Sequence, residues 1–320
     1  MSMKKQKIIV ILGQTATGKS AIAVRLAKKI SGEIVSADSR QIYKGLDIGT
    51  GKITKKEMSG IPHHMLDIAS PKRIFTAAEY TKIARKKIAA IAKRKKIPIV
   101  VGGTGFYIDT LLGKIALPAI PPNKKLREKL KNKTITELFE MLKKIDSQRA
   151  RAIDKHNPVR LIRAIELAKS KFNSKHSANH QLVDSDYSNY KCLKIGLKIP
   201  NEKLRQKITI RLFARIRKGM IAEAKRLHSP PFGRGLSWKR MEELGLEYRF
   251  LAQYLRGKTT KEDMVKRLNA AIWQYAKRQN TWFKRDKEIH WFTLSSVARF
   301  EPKEHKKIFE RVNYFLKMNK

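Results

Sequence analysis

Residues 13–20 read Gly13-Gln14-Thr15-Ala16-Thr17-Gly18-Lys19-Ser20, the spacing G-x-x-x-x-G-K-[ST]. The two glycines let the backbone curl so that successive N–H groups point inward, where they hold phosphate oxygens. Lys19 adds a positive charge over the distal phosphates, and Ser20 offers a hydroxyl to Mg²⁺. Such a loop is a phosphate site only when a strand leads in and a helix leads out. Residues 8–12 are an unbroken apolar run that reads as a buried strand, and residues 21–30 follow as a helix. The loop is therefore read as a cradle for a di- or triphosphate.

Most loops of this kind serve ATP or GTP, and they are usually accompanied by a strand ending in a carboxylate that helps hold Mg²⁺. The candidate strand here, residues 97–101, runs instead into Gly102-Gly103-Thr104. That absence counts against an ordinary ATPase. The acid nearest by topology is Asp38, at the end of a second short strand over residues 33–37. A carboxylate there suits either Mg²⁺ or general-base work on an acceptor; the plainer alternative is a helix cap. His63-His64 invites a metal reading, but adjacent residues rarely ligate one ion, and the pair is read as structural.

The elements that must position these groups follow from the hydrophobic pattern. Residues 77–95 carry Ile83, Ala84, Ile88 and Ile91 on one helical face, and the apolar strand before Gly102 comes next. Continuous apolar strands separated by helices indicate a parallel sheet covered on both sides, whose ligands collect at the carboxyl ends of the strands. Asp38, Thr104 and the glycine loop all follow strand ends. The fold class expected is α/β, a P-loop NTPase-like core with a parallel sheet flanked by helices, plus a helical insertion domain.

From Leu117 the composition changes. Pro118, Pro121 and Pro122 punctuate a linker, and between Lys124 and Lys171 there are 15 Lys and Arg against 6 Asp and Glu. Asn157-Pro158 is a cap and first-turn pair opening a helix on which Arg160 and Arg163 share a face, with Glu166 one turn on. Residues 172–190 lack periodicity and read as a mobile loop, and residues 193–199 return to a strand pattern. The division expected is residues 1–116 as the first portion of the core, 117–192 as a basic helical insertion suited to a polyanion, and 193–320 as the second, mostly helical portion of the core. Within residues 193–320, a helix from Lys203 turns Leu204, Ile208, Leu212 and Ile216 inward. Another, over 261–283, aligns Met264, Leu268, Ile272, Tyr275 and Trp282 as a core stripe.

Composition narrows the partners. The chain of 320 residues has 72 Lys and Arg against 27 Asp and Glu, a formal charge of +45. Self-repulsion on that scale points to a polyanionic partner, although many lysines also suit solvated helix faces. No apolar run reaches the roughly 20 residues needed to cross a bilayer. The single cysteine, Cys192, excludes an internal disulfide framework and a multi-cysteine zinc site. With no leader pattern before the first strand, a soluble, cytoplasmic protein is expected.

Six collinear segments resemble the motif series of the bacterial tRNA dimethylallyltransferase family. They are residues 13–20; Asp38-Ser39-Arg40-Gln41 through Thr50; Gly60 to His64; Val101 to Tyr107; Asn157-Pro158-Val159-Arg160-Leu161-Ile162-Arg163-Ala164; and Tyr275-Ala276-Lys277-Arg278-Gln279-Asn280-Thr281-Trp282-Phe283. The resemblance spans residues 8–292. It implies transfer of a dimethylallyl group from dimethylallyl diphosphate to the exocyclic N6 of adenosine 37, just 3′ of a tRNA anticodon. It also implies a helical insertion that meets the anticodon stem-loop, Mg²⁺ as cofactor, no membrane, and no protein partner, the enzyme acting as a monomer.

By position, the resemblance implies a base in Asp38, a threonine beside the reacting centre in Thr104, and a diphosphate contact in Arg211. It implies a cradle made by Gly13, Gln14, Thr15, Ala16, Thr17, Gly18, Lys19 and Ser20, with the amides of Thr15 to Ser20 as donors and Ser20 on Mg²⁺. It places tRNA against Asp38, Ser39, Arg40, Gln41, Thr104, Arg127, Val159, Arg160, Leu161, Ile162 and Arg163. Many relatives have a shorter Gly-Tyr element where this chain reads from Trp238 to Tyr248, so that segment departs from the pattern. A small-molecule or nucleoside kinase is the rival enzyme reading. A non-catalytic RNA-binding protein is the other.

Overall fold

The computed structural model describes residues 5–118, 120–173, 190–230, 235–294 and 302–318. The chain divides into two compact units: Met1–Lys114 with Asp186–Lys320, and Ile115–Ser185.

The first unit begins β1 (Gln6–Gly13), α1 (Lys19–Ile30), β2 (Gly32–Ala37), α2 (Lys55–Met58), β3 (His63–His64), α3 (Ala77–Lys93), β4 (Ile97–Gly102) and α4 (Gly105–Leu111). The second unit contributes α5 (Lys124–Leu130), α6 (Ile135–Ile145), α7 (Ser147–Ala152) and α8 (Pro158–Asn173). The chain then returns to the first unit with β5 (Tyr190–Lys198), α9 (Asn201–Arg217), α10 (Met220–His228), α11 (Trp238–Leu244), α12 (Leu246–Leu255), α13 (Lys261–Phe283), β6 (Ile289–Thr293) and α14 (Pro302–Lys317).

The six strands form one sheet in the order β3-β2-β4-β1-β5-β6, and every pairing is parallel. This is the architecture the apolar runs require. Ile8, Ile9, Val10 and Ile11 are fully buried, as are Val35, Ile99 and Val100, because helices cover both faces. The register puts Ala37 beside Gly102 and Leu12 beside Gly102 on its other side, so β1, β4 and β2 end together. A Cβ on Gly102 would collide with the Ala37 carbonyl oxygen, so only glycine lets these strand ends close up.

The expected helices form where their signals stand. α3 starts with a capping box, in which the Thr76 hydroxyl and the Glu79 carboxylate each accept the other's backbone N–H. α13 has the bounds its stripe predicts, and Met264, Leu268 and Ile272 are buried. β5 starts at Tyr190, three residues before the sequence pattern suggests. The stretch read as a mobile loop, residues 172–190, falls mostly outside the described residues.

The second unit has its own core of Leu130, Leu138, Leu142, Ala150, Leu161, Ala164 and Ile165. Asn157 caps α8 through its side chain, which accepts the Arg160 N–H at 3.2 Å. Among the described residues no helix is long and apolar enough to cross a membrane.

Candidate active site

The glycine loop joins β1 to α1. Gly18, the N-cap of α1, is left-handed (φ 85°) and supplies no side-chain cap, so the first N–H groups of the helix face outward without a helical partner. Inside the loop the Thr17 hydroxyl donates to the Gln14 carbonyl at 2.8 Å, and Lys19 Nζ donates to that same oxygen at 2.5 Å. Burial pushes the Lys19 ammonium down to about 7; Arg211 adds to the shift and Asp38 opposes it. An enclosed lysine beside an arginine is a site short of negative charge.

Helix α13 staples this loop in place. Gln279, buried among apolar neighbours, accepts the Thr15 N–H through Oε1 at 2.8 Å and donates from Nε2 to the Gly103 carbonyl at 2.8 Å. Gln14 answers by donating to the Ala276 carbonyl at 3.1 Å. The Thr15 amide is thus already spent on a side chain. This corrects the expectation that all amides from Thr15 to Ser20 serve phosphate; the donors left begin at Ala16.

Asp38 follows β2 and Thr104 follows β4. The Arg40 N–H donates to Asp38 Oδ1 at 2.8 Å and the Gln41 N–H donates to it at 3.3 Å, so half of the carboxylate does act as a cap. No described protein group meets Oδ2. The Ser39 N–H donates to the Thr104 hydroxyl at 3.1 Å, and the Thr104 N–H donates to the Ala37 carbonyl at 3.2 Å. These bonds join the two strand exits into one wall. Tyr275, on α13, has its hydroxyl against the Thr104 side chain. Burial first, and then the nearby Asp38 charge, hold that phenol far above its usual range, so it stays protonated.

Opposite them stands the loop 46–51, held from below by Glu223 of α10. This buried carboxylate accepts the N–H groups of Asp47 at 3.0 Å, Ile48 at 2.7 Å and Gly49 at 2.9 Å, together with the Tyr248 hydroxyl at 2.7 Å. From the side, Arg215 Nη1 of α9 donates to the Gly49 carbonyl at 2.5 Å.

Two adjoining cavities result. One, of about 320 Å³, is lined by Gly18, Lys19, Ser20, Gln41, Gly51, Glu57, His63, Gly102, Gly103 and Gln279. The other, of about 350 Å³, is lined by Ser39, Arg40, Arg215, Leu246, Glu247, Ile272 and Arg278. Thr15, Ala16, Asp38, Thr50, Arg211 and Tyr275 line both. The glycine loop, Asp38 and Arg211 therefore share a wall, with the chamber of Lys19 and Ser20 on one side and an arginine-rich chamber on the other. His63 lines the first chamber but is turned to the Ile61 carbonyl at 2.8 Å, while His64 pairs with Glu33 at 2.7 Å. Among the described residues no three His, Cys, Asp or Glu side chains group to hold a metal ion.

The IPP transferase family model matches residues 41–286. The chain is 45% identical over 282 residues to tRNA dimethylallyltransferase 2 of Treponema denticola, covering 88% of this chain and 92% of that one. It belongs to the tRNA dimethylallyltransferase family. To the tRNA dimethylallyltransferase of Caldanaerobacter subterraneus the identity is 40% over 303 residues, covering 92% and 94%. The crystal structure of the tRNA isopentenylpyrophosphate transferase of Bacillus halodurans has a TM-score of 0.70 at 32% identity, over 98% of this chain and 97% of that one. A eukaryotic dimethylallyltransferase acting on tRNA shares the fold, with a TM-score of 0.78 at 24% identity over 97% and 79%.

The other residues that family resemblance marks lie in the second unit, which has its own arrangement. Glu166 of α8, 3% exposed, accepts Arg127 Nε at 2.7 Å and Arg127 Nη2 at 2.8 Å, Arg163 Nη1 at 3.1 Å and the Asn123 N–H at 2.8 Å. Burial opposes its ionisation, but these four donors prevail and hold its carboxyl below the usual range. Arg160 lies 3.5 Å from Asp154, and Val159 is 72% exposed. Leu161 is fully buried and Ile162 packs against the same core. This corrects the expectation for Leu161, whose side chain holds the unit together and does not face a ligand.

Sequence reasoning passed over Glu223, Glu247 and the task of Gln279. For Gln279 a signal existed: it falls in phase with Ile272, Tyr275 and Trp282, and a polar side chain inside a core stripe must find partners.

Proposed function

We propose that this chain, as a tRNA dimethylallyltransferase modifying adenosine 37, binds the donor diphosphate in the chamber of the glycine loop and the extruded nucleoside in the arginine-rich chamber. The observation that carries the reading is the shared wall: Asp38 and Arg211 face both chambers, so a leaving group and a nucleophile meet across them.

An allylic diphosphate ionises readily because its developing carbocation is delocalised. Catalysis is then chiefly stabilisation of the departing diphosphate. The amides from Ala16 onward, Lys19 and Arg211 are preorganised for that charge. The C1–O bond breaks with its electron pair leaving on diphosphate, and adenine N6 forms the new bond to C1. The N6 proton passes to Asp38 Oδ2, while Oδ1 stays fixed by the Arg40 and Gln41 amides. Taking that proton as the C–N bond forms is worth about 10²–10⁴-fold. Thr104 and the protonated Tyr275 offer hydroxyls to the same centre.

The site also fits Mg²⁺. The Ser20 hydroxyl stands at the start of α1, and Glu57 lines the same chamber. Oxygen ligands of this kind, completed by substrate phosphate and water, are what the ion prefers. When bound, Mg²⁺ neutralises part of the leaving-group charge.

An adenine inside an anticodon loop has to leave its stack before N6 can reach the donor. Ser39 and Arg40, which line the nucleoside chamber, are assigned to the RNA together with Gln41, which lines the chamber of the glycine loop, and Arg127, Arg160 and Arg163 of the second unit are assigned to its stem. The test is to incubate the protein with dimethylallyl diphosphate, Mg²⁺ and unmodified tRNA, digest the RNA and analyse it by mass spectrometry. Prenylated adenosine is expected at position 37. Its absence, with steady ATP hydrolysis, would return the chain to the kinase reading.

A further inference from the structure

The start of α12 builds part of the wall of the arginine-rich chamber. Gly245 (φ +77°) joins α11 to α12, and α12 opens on Leu246 (φ +28°). A branched side chain is strained at positive φ, and strain of this kind persists where the surroundings over-determine it, often at a binding site. Here it places Leu246 and Glu247 in a cavity wall shared with Asp38, Ser39 and Arg40.

The Glu247 side chain is 13% exposed, and its Oε1 accepts Arg215 Nη1 at 2.8 Å. Arg215 is itself fixed on the Gly49 carbonyl. No described protein group meets Oε2. Besides this pair, the charged groups on the chamber wall are Arg40, Arg211 and Arg278 against a single acid, Asp38. A carboxylate set among arginines repels phosphate, so its free oxygen is suited to a neutral hydrogen-bond donor. In an extruded adenosine whose N6 is turned to Asp38, that donor is a ribose hydroxyl. Carboxylates are established partners of ribose hydroxyls, and the 2′-hydroxyl is the group by which a protein tells RNA from DNA.

We infer that Glu247 accepts a hydrogen bond from the ribose 2′-hydroxyl of the adenosine in this chamber and so selects RNA over DNA at the reacting nucleotide. The inference rests on reading that chamber as the acceptor site. Arg215 orients the carboxylate, and the turn at Gly245-Leu246 delivers it.

The experiment compares kcat/KM for an anticodon stem-loop RNA with that for the same molecule carrying 2′-deoxyadenosine at the target position. The wild-type protein should lose roughly ten- to a hundredfold on the deoxy substrate, the worth of a charge-assisted hydrogen bond. In Glu247→Ala the ratio between the two substrates should fall to within about threefold. Because both substrates are measured on one protein, a general loss of active enzyme cancels from the ratio. Glu247→Gln, which keeps an acceptor for Arg215, supplies a second comparison with a reduced ratio. A wild-type enzyme indifferent to the deoxy substitution overturns the inference without any variant, and so does a ratio unchanged in both variants. No transfer to the all-ribose stem-loop overturns the function proposed above, and this contact with it.

Discussion

Lys19 makes donor binding sensitive to pH, and the sense of the effect follows from its surroundings. Burial, and then Arg211, push its ammonium down to about 7. A bound diphosphate brings compensating negative charge and returns it toward the ordinary lysine value of about 10.4. Binding therefore takes up a proton in the window between those two values. Affinity is full below about pH 7 and falls above it, by a factor approaching ten per pH unit. From about pH 7.5 to about pH 9, where the terminal phosphate is already ionised, the donor dissociation constant should rise roughly 25-fold. Calorimetric titration of the donor without tRNA, repeated in buffers of different ionisation enthalpy, gives both the constant and the proton count. Lys19→Arg keeps its charge throughout, so its constant should vary by no more than about twofold over the same range. A flat wild-type profile would refute the reasoning, as would an equal decline in Lys19→Arg.

Three further outcomes are expected. Asp38→Asn keeps an oxygen for the Arg40 and Gln41 amides but removes the base, so single-turnover transfer should fall about 10²–10⁴-fold with tRNA affinity within a few-fold; unchanged turnover in a rapid-quench assay would assign the base elsewhere. Gln279→Met fills the same space but leaves the Thr15 N–H and the Gly103 carbonyl without partners, which should cost about 1–3 kcal/mol per group in chemical denaturation. The donor KM should rise as well, and a KM at the wild-type value would remove Gln279 from the architecture of the cradle. Glu166→Ala strips Arg127 and Arg163 of their shared partner; filter binding should show weaker tRNA with the donor KM unchanged, and equal tRNA binding would return those arginines to a structural role.

What could be read from the chain and what could not divide along physical lines. β1, α1, β4 and α13 announce themselves because each is a local pattern: an apolar run, a glycine-spaced loop, a stripe of period 3.6. The cap at Asn157 and the box at Thr76 are equally local. Glu223 gives no such sign. It lies in a helix with ordinary patterning, and its partners, the amides of residues 47–49, are about 175 positions earlier and distinguished by no side chain. β3 has two residues, and β6 (Ile-His-Trp-Phe-Thr) does not alternate, so both are set by edge pairing to β2 and β5. Leu246 adopts a backbone angle that its residue type disfavours. Arg127 and Arg163 were visible as charges, but their convergence on one buried carboxylate depends on how α5 packs against α8.

The closing of β1, β4 and β2 at a common end bears on what such an enzyme can change over its history. Neighbouring strands in a sheet are spaced about 4.8 Å apart by their backbone bonds, whatever side chains they carry. The reactive groups here hang from three such strands, and a glycine at the tightest point admits no substitute without prising them apart. A descendant with altered substrates has little to adjust on that side. Its variation should accumulate at the start of α12, where Leu246 and Glu247 line the arginine-rich chamber without touching the ladder.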